Sequence, residues 1–141
     1  MKKILVVNGP NLNMLGKREP GIYGLETLKD VEDKIKKRAD ELGCEVEFFQ
    51  SNFEGELINK IHEAYEGYDG VVINPGALSH YSYAMHDALT SISIPKIEVH
   101  ISNLHRREEF RRVSVTAPAC IGQICGLGTD GYVYALEALL K

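Results

Sequence analysis

Short apolar runs recur along this chain, and between them the spacing of apolar residues changes to that of a helix. Ile4 to Val7 is apolar without a break and reads as a strand buried on both faces, because a half-exposed strand would alternate. Gly70 to Asn74 reads the same way and ends on a polar residue. Lys96 to Asn103 is another such strand. Its Ile97, Val99 and Ile101 are β-branched and suit a pleated surface, and Pro95 can open a strand where no ladder donor is needed. Glu45 to Gln50 alternates in part, and Ala119 to Cys125 reads as a fifth strand of small residues. Thr27 opens a helix in which Leu28, Val31, Ile35, Ala39 and Leu42 share one face. Asp30 stands in a capping-box-like position and Gly43 ends the run. Leu57, Ile58, Ile61 and Ala64 mark a second helix that stops at Gly67. His80 to Ser91 reads as a third, with Ala84, Ala88 and Leu89 inward, and Tyr132 to Leu140 as a closing one. Arg106 to Arg112 reads as a charged helical turn or two.

Strands alternating with helices argue for a parallel sheet covered on both faces. Five strands in 141 residues suggest one domain with an α/β, flavodoxin-like, doubly wound sheet in three α/β/α layers. In such sheets ligands bind beyond the carboxyl ends of the strands, where the strand order reverses. That rule selects Asn8 to Asn11, Asn74 to Gly76 and His100 to Ser102, three polar strand ends. Lys17 to Glu26 holds Pro20-Gly21 and Gly24 with little apolar content to anchor it. It reads as a mobile lid beside the end of the first strand.

A net charge of −4 leaves no basic footprint, which makes nucleic acid a poor partner. Three cysteines, Cys44, Cys120 and Cys125, are odd in number and lack metal-ligand spacing, which suits free thiols in a reducing cytoplasm. The opening apolar run is too short for a signal peptide, and no run approaches the ~20 residues of a membrane span. His80 and His86, like His100 and His105, lack the spacing of a helical metal pair. Gly126 to Gly131 matches G-x-G-x-x-G, but no strand and no acidic residue ~20 positions on follow it. Tight backbone packing is the reading for these glycines.

The chemistry gathers at two places. In a strand, residues two apart share a face, so Glu98, His100 and Ser102 can point the same way. A histidine at a strand end with a carboxylate to orient it can act as a general acid or base; a plain surface-facing strand end is the alternative. Arg18 and Tyr23 form the second pair. An unperturbed phenol titrates near ~10, and a neighbouring arginine can move it ~1–3 units toward the anion. Such a phenolate could remove a proton next to a carbonyl, and an inert loop pair is the alternative.

Together these segments resemble the type II dehydroquinase (3-dehydroquinate dehydratase) family over essentially the whole chain. Asn8-Gly9-Pro10-Asn11-Leu12-Asn13, Leu15-Gly16, Arg18-Glu19-Pro20 and Tyr23-Gly24 resemble its opening signature. Asn74-Pro75-Gly76-Ala77 with His80 and Asp87-Ala88-Leu89 resemble the second, and Glu98 to Asn103 with Arg107-Glu108 and Phe110-Arg111 the third. Gly126 to Tyr132 matches the closing segment. The sequence departs from the common pattern at Ser79-His80-Tyr81, where threonine is frequent on both sides of the histidine. It also departs at His86, where arginine is common. The resemblance implies dehydration of 3-dehydroquinate in the shikimate pathway or in quinate breakdown, without metal or organic cofactor. It implies Tyr23 as the base, Arg18 as its electrostatic partner, Asn11 near the enolate, His100 as the acid and Glu98 as its holder. It implies substrate contacts at Asn74, His80, Ile101, Ser102 and Arg111, and at Asp87 from a neighbouring subunit. Assembly into trimers and a dodecamer would follow. The alternative is a non-catalytic flavodoxin-like module that binds a small anion or a nucleotide.

Overall fold

Why the strands lie side by side follows from their composition: runs apolar on both faces must be covered on both, and only a central position in a sheet does that. A computed structural model describes residues 1–17 and 19–141, with the side chains of all of these but 20 and 23. The five strands are β1 (Lys3–Asn8), β2 (Glu45–Gln50), β3 (Gly70–Asn74), β4 (Lys96–His100) and β5 (Gly122–Cys125). All neighbours are parallel and the spatial order is β2-β1-β3-β4-β5, so the order reverses between β1 and β3. This is the doubly wound sheet expected from the sequence.

Each strand's alternation sorts its residues between two apolar layers. Ile4 and Val6 of β1, with Val72, Ile97 and Val99, pack under α2 (Leu28–Leu42) and α5 (Asp130–Leu139) through Val31, Ile35, Tyr132 and Leu136. Leu5 and Val7, with Val71 and Ile73, pack under α3 (Glu54–Glu63) and α4 (Tyr83–Thr90) through Leu57, Ile61, Met85 and Leu89. Burying each such side chain contributes about 1.5–3 kcal/mol. The helix α2 starts where Thr27 and Asp30 exchange side-chain-to-backbone hydrogen bonds of 3.2 and 3.0 Å. It stops at Gly43, which takes the left-handed φ of 71°.

Several boundaries move. The expected helix from His80 begins at Tyr83, because Ser82 caps Met85 N at 3.0 Å and Gly76 to His80 form a separate 3-10 turn. Ala84, expected inward, is exposed, and Met85 fills the core there. The expected fifth strand loses Ala119 to Ile121, since Pro118 lies in a 3-10 turn over Ala117–Ala119. The charged stretch after β4 divides into 3-10 turns at Leu104–Arg106 and Glu109–Arg112. The segment 17–26 carries one helical turn, α1 (Pro20–Tyr23).

The strand-end loops are tied tightly. Gly9 N donates to Asn74 O at 2.8 Å, and a Cβ at Gly9 would stand 2.5 Å from Pro75 O. Only a glycine lets the β1 and β3 loops approach so closely at the point where strand order reverses.

Candidate active site

The cleft beyond β1, β3 and β4 is lined by Asn11, Asn74, His80, His100, Ile101, Ser102 and Arg111, all of them expected there. Leu12, Leu15 and Leu104 supply apolar wall. Glu98 sits behind His100, away from solvent. Asp87 is exposed on α4 and lines no part of this cleft. Arg18 lies outside the described residues, as does the side chain of Tyr23, whose backbone closes the α1 turn.

Alternation along β4 turns Ile97 and Val99 to one layer and leaves Glu98 and His100 together on the other. His100 Nε2 meets Glu98 Oε2 at 2.9 Å, with the two side chains 5% and 0% exposed. Ser114 Oγ and Gln123 Nε2 each donate to the same oxygen at 2.8 Å, and Thr116 Oγ1 donates to Oε1. Burial alone would push this carboxyl up. The hydrogen bond and charge of His100, then the bonds from Thr116 and Gln123, outweigh it and hold Glu98 below the usual carboxylate value. An ionised Glu98 can only accept, so His100 Nε2 carries the proton between them and Nδ1 is left for a ligand. Ser102 does not join this pair. It lies past the end of β4, and its Oγ accepts from Arg107 Nη1 at 3.2 Å.

His80 stacks on His100 with ring centroids 6.4 Å apart and 18° between planes, and Phe110 meets His80 edge-on at 5.8 Å. His80 Nδ1 lies 2.8 Å from Val113 O, and a carbonyl only accepts, so this nitrogen is the donor. Desolvation lowers the His80 pKa despite that bond, which favours the neutral ring beside His100. Arg111 lies over the Phe110 ring at 4.7 Å and donates to Glu108 at 3.1 Å.

The floor is a buried polar chain whose members, 58 and 124 residues apart, carry no local signal of their contact. Asn74 Nδ2 donates to Tyr132 Oη at 2.9 Å, and Tyr132 donates to Asn8 Oδ1 at 2.6 Å. Asn74 Oδ1 accepts from Gly76 N at 3.1 Å, which leaves its second N–H for a ligand. Burial pushes the Tyr132 hydroxyl up, so it remains a neutral donor. Tyr132→Phe is expected to leave Asn8 and Asn74 short of partners and to cost about 1–3 kcal/mol in urea unfolding.

Arg107, Ser114, Thr116, Gln123 and Tyr132 were not expected as site residues. Arg107 alone carried a local signal, a cation five residues past Ser102 in a charged turn. The cleft thus faces a ligand with Arg107 and Arg111, each also paired with the exposed Glu108 (3.9 and 3.1 Å), while the buried Glu98 behind His100 is fully engaged with neighbours. An anionic ligand suits that balance. No cluster of three or more metal-ligating side chains occurs among the described residues. The Gly126 to Gly131 turn has packing reasons: a Cβ at Gly126 would press on Asn103 at 3.1 Å, and one at Gly131 on Val99 and Ile124 at 3.3 Å.

The chain is similar to known proteins over its whole length. The family model described as "Dehydroquinase class II" matches residues 2–140. The 3-dehydroquinate dehydratase of Caldicellulosiruptor bescii is 63% identical over 140 residues, covering 99% of this chain and 97% of that protein. The 3-dehydroquinate dehydratase of Clostridium beijerinckii is 58% identical over 138 residues, covering 97% and 94%. The crystal structure of type II dehydroquinase from Butyrivibrio crossotus superposes with a TM-score of 0.98 at 56% identity, covering 99% and 98% of the two chains. Fold and full-length similarity agree, and the chain belongs to the class II dehydroquinase family.

Proposed function

We propose that this chain is the shikimate-pathway enzyme that removes water from 3-dehydroquinate to give 3-dehydroshikimate. The observation that carries this is the buried, oriented Glu98–His100 pair opening into a cleft whose other charged groups are cationic. Tyr23 takes the proton from the carbon beside the ketone, with Arg18 favouring its phenolate. The enolate oxygen is stabilised by hydrogen bonding around Asn11. His100 gives a proton to the departing hydroxyl, and Glu98 holds the ring and balances the charge of its protonated form. Asn74 and His80 bind ring hydroxyls, and Ile101, Ser102 and Arg111 take the carboxylate side. Proton removal forms the enolate, whose electrons then make the C=C bond as the C–O bond breaks and the protonated oxygen leaves as water, so acid–base side chains suffice for both steps.

The segment 17–26 is the lid of a single catalytic domain. Gly21, Ile22 and Gly24 share a groove with Ser102 and Arg107, which supports that role. Asp87 completes the cleft of a neighbouring subunit in a trimer, and trimers assemble to a dodecamer; its exposure away from its own cleft suits this. The absence of any helix long and apolar enough to cross a membrane among the described residues is compatible with a cytoplasmic enzyme.

The test is spectroscopic. Protein mixed with 3-dehydroquinate is expected to raise the absorbance of the conjugated enone, and borohydride added during turnover is expected to trap no lysine adduct. A flat trace from folded protein would favour the anion- or nucleotide-binding module instead.

A further inference from the structure

The segment 17–26 begins and ends at one place. Gly16 has a φ of 82°, and a Cβ there would lie 2.9 Å from Leu25 O and 3.1 Å from Glu26 O. The two ends of the segment therefore touch, and whatever holds Glu26 holds both. Four side chains from three elements meet at that point. Thr129 Oγ1 donates to Glu26 Oε1 at 2.6 Å. Lys34 Nζ, from α2, donates to Thr129 Oγ1 at 2.6 Å and pairs with Glu26 Oε2 at 3.0 Å and Asp130 Oδ1 at 3.2 Å. Thr129 is 5% exposed, so the hub of the cluster is shielded although its charged rim is not.

Thr129 has a second connection. It follows the turn in which Gly126 N donates to His100 O and Gly128 N donates to Ile101 O, both at 3.1 Å. A short series of bonds thus runs from the strand end that carries His100, through the glycine turn, to Thr129 and on to Glu26. Glu26 stands three residues after Tyr23.

We infer that the Lys34–Glu26–Thr129–Asp130 cluster is a positioning latch that sets the base-bearing segment against the acid-bearing strand end. This rests on the assignment of Tyr23 as base. None of the four touches the cleft, so they act on the reaction through the placement of the segment. Surface ion pairs of this exposure add little to global stability. A displacement of about 1 Å at a reacting group, by contrast, can cost on the order of a hundredfold in rate. The latch therefore predicts a large kinetic effect with a small thermodynamic one.

Lys34→Met and Thr129→Val test it, each in the wild-type and in the Tyr23→Phe background, by enone kinetics and thermal unfolding. The expected result for both is a kcat lowered roughly 10- to 100-fold. KM should stay within about twofold, because the strand-end groups that grip substrate are untouched. Lys34→Arg should recover most of the rate. In the Tyr23→Phe background neither change should lower the residual rate further. Full activity in both Lys34→Met and Thr129→Val, with turnover still dependent on Tyr23, overturns the latch alone. An equal fold-loss with and without Tyr23 also overturns it, since the cluster would then act on the fold at large. Full activity in Tyr23→Phe overturns the base assignment itself, and the latch with it.

Discussion

Tyr23→Phe is expected to fold as the parent does and to lose kcat by about 10²–10⁴-fold, the usual contribution of a positioned acid–base group. The change removes one oxygen from a segment that packs little apolar surface, so circular dichroism and the thermal midpoint should barely move. The loss should fall on kcat rather than KM, because the proposed substrate grip belongs to Asn74, His80 and the end of β4. The other tyrosine close to this chemistry cannot substitute. Tyr132 is fully buried, its hydroxyl donates to Asn8, and burial raises its pKa, so it cannot furnish a phenolate at neutral pH. A Tyr23→Phe enzyme with parental kcat would remove the base from the scheme, whatever the family resemblance.

How much of this could be read from the residues depends on the range of the interaction. Continuous apolar runs ending in Asn8, Asn74 and His100 are local signals, and the strands lie where those runs do. The capping of α2 by Thr27 and Asp30 is equally local. The surroundings of Glu98 are not. Its partners Ser114, Thr116 and Gln123 stand 16, 18 and 25 residues away. Gln123 arrives because β4 and β5 pair with Glu98 opposite it, and Ser114 and Thr116 flank Val115, whose N–H donates to Ser79 O at 2.7 Å; no single segment encodes either contact. Tyr132 reaches Asn8 across 124 residues for the same kind of reason. The misplaced start of α4 is a different failure. His80 to Tyr83 has helix-compatible residues, but Val115 N takes the Ser79 carbonyl at 2.7 Å, and Ser82 is the residue whose side chain caps the helix. The local Ser82 cap and the tertiary contact at Ser79 together set that boundary over the helical preference of the residues before it.

Glu98 should show the largest effect on stability. Replacing it with alanine leaves His100, Ser114, Thr116 and Gln123 facing a void where a carboxylate accepted from all four. Breaking a buried, charge-assisted set in this way costs about 3–5 kcal/mol, to be read as a lower urea midpoint with the slope unchanged. Glu98→Gln separates charge from shape. Its amide oxygen can stand at the Oε2 site and accept from the same donors. Its NH₂ can stand at the Oε1 site and donate to Thr116, whose hydroxyl turns to accept. The fold should then survive with a loss of about 1–3 kcal/mol, while the positive charge that His100 carries whenever it is protonated loses its counterion. The pH dependence follows from the direction of the Glu98 shift. Its folded carboxyl sits below the unfolded value, so the ion contributes fully above the unfolded pKa of ~4.3. That contribution fades as pH falls through the lower, folded value. The gap in unfolding free energy between parent and Glu98→Gln should therefore stand open above pH ~4.3 and close as pH falls through the folded value. A gap that stays constant from pH 7 down to the acid limit of folding would mean that Glu98 supports His100 as a neutral hydrogen-bond acceptor and not as an anion.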